Sequence, residues 1–187
     1  LPEPVVLVGH SFGALIARLY ASTHPDRLAG MVLVDPALLH EWADPTPQRR
    51  ATLARGVSFS RRGAALARLG IVRLSLSLLA RGSQFFPKFV AKASSGEGLS
   101  VTERLVGEVR KLPPETWPVV QSHWCRPESF LSMAEHLQVL PAVAAAVQPA
   151  GNSNIPTIVI SGGHLTPEQR AEHKAIADAS SNGRHIV

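Results

Sequence analysis

The sequence predicts an α/β protein, and three observations support that class. An apolar, β-branched run at residues 5–8 leads into Gly9-His10-Ser11-Phe12-Gly13 and straight on into a helical pattern at residues 14–21. A second run, Met31-Val32-Leu33-Val34, ends in Asp35-Pro36. A third, Ile155-Pro156-Thr157-Ile158-Val159-Ile160, ends in Ser161-Gly162-Gly163. Short apolar strands bounded by Gly, Pro and Asp, with helical stretches between them, are the pattern of a layered α/β architecture.

The first of these carries the most chemistry. A serine on a G-x-S-x-G turn between a strand and a helix sits on a sharp, strained backbone with its hydroxyl thrust outward. Side chains two residues to either side would collide, so Gly9 and Gly13 are expected to remove them. The following helix aims its N-terminal N–H groups and positive dipole end at that hydroxyl, where negative charge develops in acyl transfer. Ser11 is therefore the candidate nucleophile, and the backbone N–H of Phe12 a candidate oxyanion-hole donor. The competing account is a plain Gly-Ser turn, against which the flanking strand and helix argue.

Residues 5–37, read as VVLVGHSFGALIARLYASTHPDRLAGMVLVDPA, resemble the central part of an α/β-hydrolase. In that family the fifth strand carries the nucleophile on its C-terminal end. His24-Pro25-Asp26-Arg27-Leu28 resembles the turn before the sixth strand, and residues 31–34 that strand. Residues 155–163 resemble the seventh strand and its exit loop, and Arg184-His185-Ile186-Val187 the opening of the eighth. The resemblance implies a partial α/β-hydrolase fold, a mostly parallel sheet with a helical cap inserted after the sixth strand. The expected division is core at 1–38, cap at 39–150 and core again at 151–187. It also implies that earlier strands precede Leu1 and that the catalytic histidine follows Val187. Residues 1–187 are then expected to hold the nucleophile without its base, and to be catalytically poor alone.

A Ser–acid–His triad needs a carboxylate to orient its histidine. The family usually carries it in the loop after the seventh strand. Here that loop reads Ser161-Gly162-Gly163-His164-Leu165-Thr166-Pro167, with no carboxylate before Glu168. Some members carry the acid at the end of the sixth strand, where this chain has Asp35. Asp35 is the first candidate acid and Glu168 the fallback, although Asp before Pro36 is also an ordinary way to leave a strand. Of the eight histidines, His164 is the one whose loop could face the site; the others read as turn, packing or helical residues.

The middle of the chain reads as helical. Residues 48–69 suit an amphipathic helix, and residues 71–79 fit either alternation or helix, with helix preferred. Residues 103–111 suit another helix, ended by Pro113-Pro114. Residues 129–140 place Phe130, Met133, Ala134, Leu137 and Leu140 on one face, with Pro141 as the expected stop. Trp117, Trp124 and Phe130, with Phe85 and Phe86, are candidates to line an apolar substrate pocket, or simply to hold cap helices in place.

Residues 48–96 hold ten Arg or Lys and no Asp or Glu, which accounts for the net charge of +5. A solvated helical face is the favoured account, and docking on an anionic membrane surface the alternative. No stacking-aromatic motif accompanies the arginines, so nucleic acid is not an expected partner.

One cysteine, Cys125, excludes an internal disulfide and suits a reducing, cytoplasmic setting. No apolar run is long enough to span a bilayer, and no basic-then-apolar leader opens the chain. No metal-ligand spacing is present, and Gly162-Gly163 lacks the lysine of a phosphate loop, so neither metal nor cofactor is expected. The expected chemistry is hydrolysis of an ester or similar small acyl substrate. Acyl transfer to another acceptor, cofactor-free haloperoxidase or lyase chemistry, and a non-catalytic binding or membrane-docking module are the alternatives.

Overall fold

The computed structural model describes residues 4–80, 112–147 and 154–187. They belong to two compact units, Leu1–Arg50 with Val139–Val187, and Ala51–Gln138. The division falls inside the expected boundaries at 38 and 150, so the second unit is shorter than residues 39–150. The helix expected at 103–111, and Phe85 and Phe86, lie outside the described residues.

The first unit is built on four parallel strands in the order β1 (Val5–His10), β2 (Leu28–Val34), β3 (Thr157–Ile160) and β4 (Arg184–Ile186). Each is short, and β1, β2 and β3 are mostly apolar, as strands of a parallel sheet are when no hairpin can join them to their neighbours. Strand β4, by contrast, is Arg-His-Ile with both ends exposed. Helix α1 (Phe12–Thr23) connects β1 to β2. A short helix α2 (Leu39–Trp42) follows β2. Helix α7 (Pro167–Asp178) connects β3 to β4.

One core cluster unites these elements: Ala14 and Ala17 of α1, Leu28, Met31 and Leu33 of β2, Val159 of β3, Ile176 and Ala177 of α7, and Ile155. Leu15, Leu33 and Val159 are completely buried; each such side chain contributes about 1.5–3 kcal/mol over its exposed state. Alternation along β1 sends Val5 and Leu7 to this core, while Val6 and Val8 are exposed on the other face.

The second unit is helical: α3 (Pro47–Arg68), α4 (Ile71–Ala80), α5 (Trp117–Trp124) and α6 (Pro127–Ala146), the first and last of which run on into the other unit. The ambiguous stretch at 71–79 is a helix, as preferred. Packing of α3 on α6 relies on two glycines seven residues apart. A Cβ on Gly56 would lie 2.9 Å from Leu137 Cδ1, and one on Gly63 only 2.5 Å from Phe130 Cδ1. The pairings 56–137 and 63–130 run in opposite senses, so the two helices are antiparallel. Gln121 of α5 donates to Ser77 Oγ of α4 at 2.7 Å.

Two expectations need correction. Pro141 does not stop its helix; α6 continues through it to Ala146. A proline removes one helical hydrogen bond, and the alanine-rich stretch beyond it has the highest helix propensity available. Met133 is not on the packed face: it is 53% exposed, whereas Ala134 and Leu140 are buried. Among the described residues no helix is long and apolar enough to cross a membrane.

The α3–α6 contact yields an expectation. Gly63→Ala gains about 0.5–1 kcal/mol of helix propensity but drives a methyl into the Phe130 ring, and overpacking of that kind costs about 1–3 kcal/mol. Overpacking should win, and chemical denaturation should show net destabilisation. Equal or higher stability would mean that α6 is free to shift.

Candidate functional site

The backbone ladder runs one residue past the ends of β1, β2 and β3. Ser11 N–H donates to Val34 O (2.9 Å), Asp35 N–H to Ile160 O (2.8 Å) and Ser161 N–H to Ile186 O (2.8 Å). Ser11, Asp35 and Ser161 therefore stand in a row along the carboxyl edge of the sheet, the edge at which open α/β sheets handle ligands.

Ser11 and Asp35 share a second property. Their φ angles are +50° and +40°, and no other described non-glycine residue has a positive φ. Such a conformation is strained by about 1–3 kcal/mol and persists only where its surroundings over-determine it. Ser11 is exposed, and its side chain makes no capping bond to α1. Its C=O also accepts from Ala37 N–H at 3.3 Å, so the Ser11 backbone is bonded on both sides of Asp35-Pro36.

The two glycines of the turn are not equivalent. A Cβ on Gly9 would lie 2.5 Å from Gly13 O and 2.8 Å from Ala14 N, while one on Gly13 would meet nothing within 4 Å. The collision expected on both sides is thus one-sided. The Cβ direction at residue 9 runs into the first turn of α1, and that at residue 13 runs into open space.

Asp35 Oδ1 accepts the Gly162 N–H at 2.7 Å. A Cβ on residue 162 would press to 3.1 Å from Asp35 Oδ2. The glycine exit of β3 thus gives a backbone donor and clearance to a carboxylate from the neighbouring strand end. Glu168 is exposed on the first turn of α7, where its own backbone N–H and the Thr166 side chain hold its carboxyl below the usual range. His164 and His10 are exposed, and among the described residues no histidine hydrogen-bonds Ser11 or Asp35. Trp117 and Trp124 stand at the two ends of α5, and Phe130 packs across Gly63.

Sequence reasoning missed what α7 does. His173 Nε2 lies 2.9 Å from Pro36 O, His173 Nδ1 lies 2.8 Å from Ser161 Oγ, and Ser161 Oγ lies 2.7 Å from His185 Nε2. A carbonyl only accepts, so His173 carries a proton on Nε2; as a neutral imidazole it then accepts the Ser161 hydroxyl proton on Nδ1, and Ser161 Oγ accepts from His185 Nε2. His173 and Ser161 are buried.

The same helix face holds the rest of the segment after β2. Glu172 accepts from Leu39 N–H (3.2 Å) and pairs with His40, and Gln169 Nε2 donates to Glu41 at 3.3 Å. Residues 169, 172 and 173 share one face by helical spacing. Thr166 and Gln169 form a reciprocal capping box, with Pro167 at the first helical position. Thr166-Pro167-Glu168-Gln169 was the legible signal for this helix start. Arg18 of α1 is buried; among the described residues its Nη1 has no hydrogen-bond partner. Burial lowers its pKa, and the Glu172 carboxylate opposes that shift.

Two expectations follow. Gly9→Ala should destabilise the protein by about 1–3 kcal/mol through overpacking, while Gly13→Ala, helical and unobstructed, should be neutral or stabilising by up to about 1 kcal/mol. Denaturant midpoints of the two variants measure this, and equal losses would contradict the one-sided clash. His185 is lowered from its ordinary 6.5, first by burial, then by its electrostatic interactions with His173, Lys174 and Arg170, with Asp178 opposing. Its unfolded form therefore takes up a proton at higher pH than its folded form. Its contribution to stability is complete above pH 6.5 and lost as pH falls below that value. Stability measured from pH 8 down to 5 should fall less steeply in His185→Gln; an unchanged slope would contradict the assignment.

Comparison with known proteins adds the family. The model of the alpha/beta hydrolase fold family matches residues 2–172. Lipase LipV of Mycobacterium tuberculosis is 54% identical over 35 residues, which are 19% of this chain and 13% of that protein. The ancestral haloalkane dehalogenase AncHLD2 is similar in structure with a TM-score of 0.55 at 20% identity, over 98% of this chain and 59% of that one. The haloalkane dehalogenase DatA of Agrobacterium tumefaciens C58 follows with 0.51 at 17% identity, over 98% and 58%. The chain thus spans under two thirds of the length of the proteins it matches, and likeness at this identity speaks for fold alone. A family match over nearly the whole chain, on a parallel sheet whose first strand turns through a strained serine into a helix, makes this chain a member of the α/β-hydrolase fold family.

Proposed function

We propose that the protein is a serine-nucleophile hydrolase of an ester or similar small acyl substrate. The observation that carries the proposal is Ser11: exposed, at φ +50° and ψ −114°, at the junction of β1 and α1. A backbone so strained is kept where it aims a side chain at a reacting group. The partial similarity to a protein named as a lipase is in keeping with this.

In this mechanism Ser11 Oγ attacks the acyl carbon and its proton passes to a histidine. The backbone N–H of Phe12, first residue of α1, donates to the developing oxyanion, with the positive end of that helix behind it. Asp35 orients the histidine and stabilises its imidazolium form. The proposal takes that histidine from outside residues 1–187. Asp35 is preferred to Glu168 because it stands beside Ser11 along the sheet edge and accepts a backbone N–H, whereas Glu168 is exposed on α7. A cytoplasmic setting for the single Cys125 belongs to the same proposal.

Turnover of p-nitrophenyl esters by the full-length protein tests it. Ser11→Ala should abolish turnover. Asp35→Asn should lower kcat by about 10⁴-fold, as loss of an orienting carboxylate does in related triads, while Glu168→Gln leaves it within about twofold of the original. Activity retained in Ser11→Ala ends the hydrolase reading, and loss in Glu168→Gln with retention in Asp35→Asn reverses the choice of acid.

A further inference from the structure

Asp35 combines a left-handed φ with a following proline, and four hydrogen bonds surround it. Its N–H is bonded to Ile160 O, its carboxylate accepts from Gly162 N–H, Ala37 N–H is bonded to Ser11 O, and the Pro36 carbonyl accepts from His173 Nε2. Three of these use only the backbone or the Asp35 carboxylate itself. The fourth alone comes from the side chain of another residue. His173 is 1% exposed and buried Pro36 offers its carbonyl to no other described group. Removing the imidazole leaves that carbonyl orphaned, which a buried acceptor does not tolerate without movement.

The proton arrangement suits this task. In the neutral imidazole a proton on Nε2, donated to Pro36, leaves Nδ1 as an acceptor, and the Ser161 hydroxyl, itself held by His185, supplies a donor to it. Ser161 is also the residue whose N–H extends the ladder beyond β3. The carbonyl after Asp35 is thereby tied to the exit of β3 and to His185 within β4 through one side chain.

We propose that His173 is a positioning residue: it holds the Asp35–Pro36 turn so that the Asp35 carboxylate faces the site, and Ser161 with His185 sets its tautomer. The proposal rests on Asp35 being the triad acid. His173 touches no substrate and exchanges no proton in the reaction.

The test is a set of ester kinetics on the whole protein. His173→Leu should lower kcat by about 10²-fold with KM nearly unchanged, the size expected when a catalytic group is displaced by about 1 Å. His173→Gln, whose amide can donate where Nε2 did, should recover most of that loss. In an Asp35→Asn background His173→Leu should cause little further loss, because both act through one carboxylate. Multiplicative losses in that double variant, or an unchanged kcat in His173→Leu while Asp35→Asn is inactive, overturn the positioning role alone. Full activity of Asp35→Asn instead overturns the assignment of the acid. Should His173→Leu fail to fold, nitrogen-15 NMR of the unaltered protein decides. It should show His173 protonated on Nε2 and not on Nδ1 near neutral pH, and the opposite tautomer or an imidazolium contradicts the proposal.

Discussion

The site depends on one constraint: the hydrogen-bond ladder of a parallel sheet does not stop where its strands stop. It continues through the first residue beyond β1, β2 and β3, so Ser11, Asp35 and Ser161 are placed by backbone rather than by side-chain packing. Two of the three, Ser11 and Asp35, sit at positive φ. Neither conformation is favourable for a residue with a Cβ, and each would relax if its bonds to the adjacent strand ends were broken. The strain at Ser11 and at Asp35 is therefore sustained jointly, because Ser11 is bonded to Val34 on one side of Asp35 and to Ala37 on the other.

Helix α7 complements this ladder. It places Gln169, Glu172 and His173 on one face, and each of the three reaches the segment between Pro36 and Glu41. The capping box at Thr166 fixes where that face begins, and Ile176 and Ala177 fix it against the sheet core. A helix that in sequence is a mere connector between two strands is thus the part that grips the exit of β2.

Local patterns were legible in the sequence, and long-range ones were not. The order of strand, turn and helix around Ser11 could be read because all its parts are consecutive, and the same holds for the apolar runs at 31–34 and 155–160, which lie in or overlap β2 and β3. Pro141 does not end its helix because the propensity of the alanines after it outweighs the proline penalty. The even-handed treatment of Gly9 and Gly13 failed because one-dimensional spacing is symmetric about Ser11, while the turn is not. The bond between Asp35 and Gly162 joins residues 127 apart, and that between His173 and Pro36 joins residues 137 apart. No period or motif in one sequence encodes such pairs; the parallel register of β2 and β3 brings the first together, and the packing of α7 on the sheet core the second.

Ser11 as the reacting group is the claim on which the functional account stands. Treatment of the whole protein with a fluorophosphonate, followed by peptide mapping, measures it most directly. The account predicts a single adduct on Ser11, formed far more slowly once Asp35 is replaced by asparagine. Absence of an adduct on Ser11, or modification of a different residue with Ser11 untouched, would contradict it.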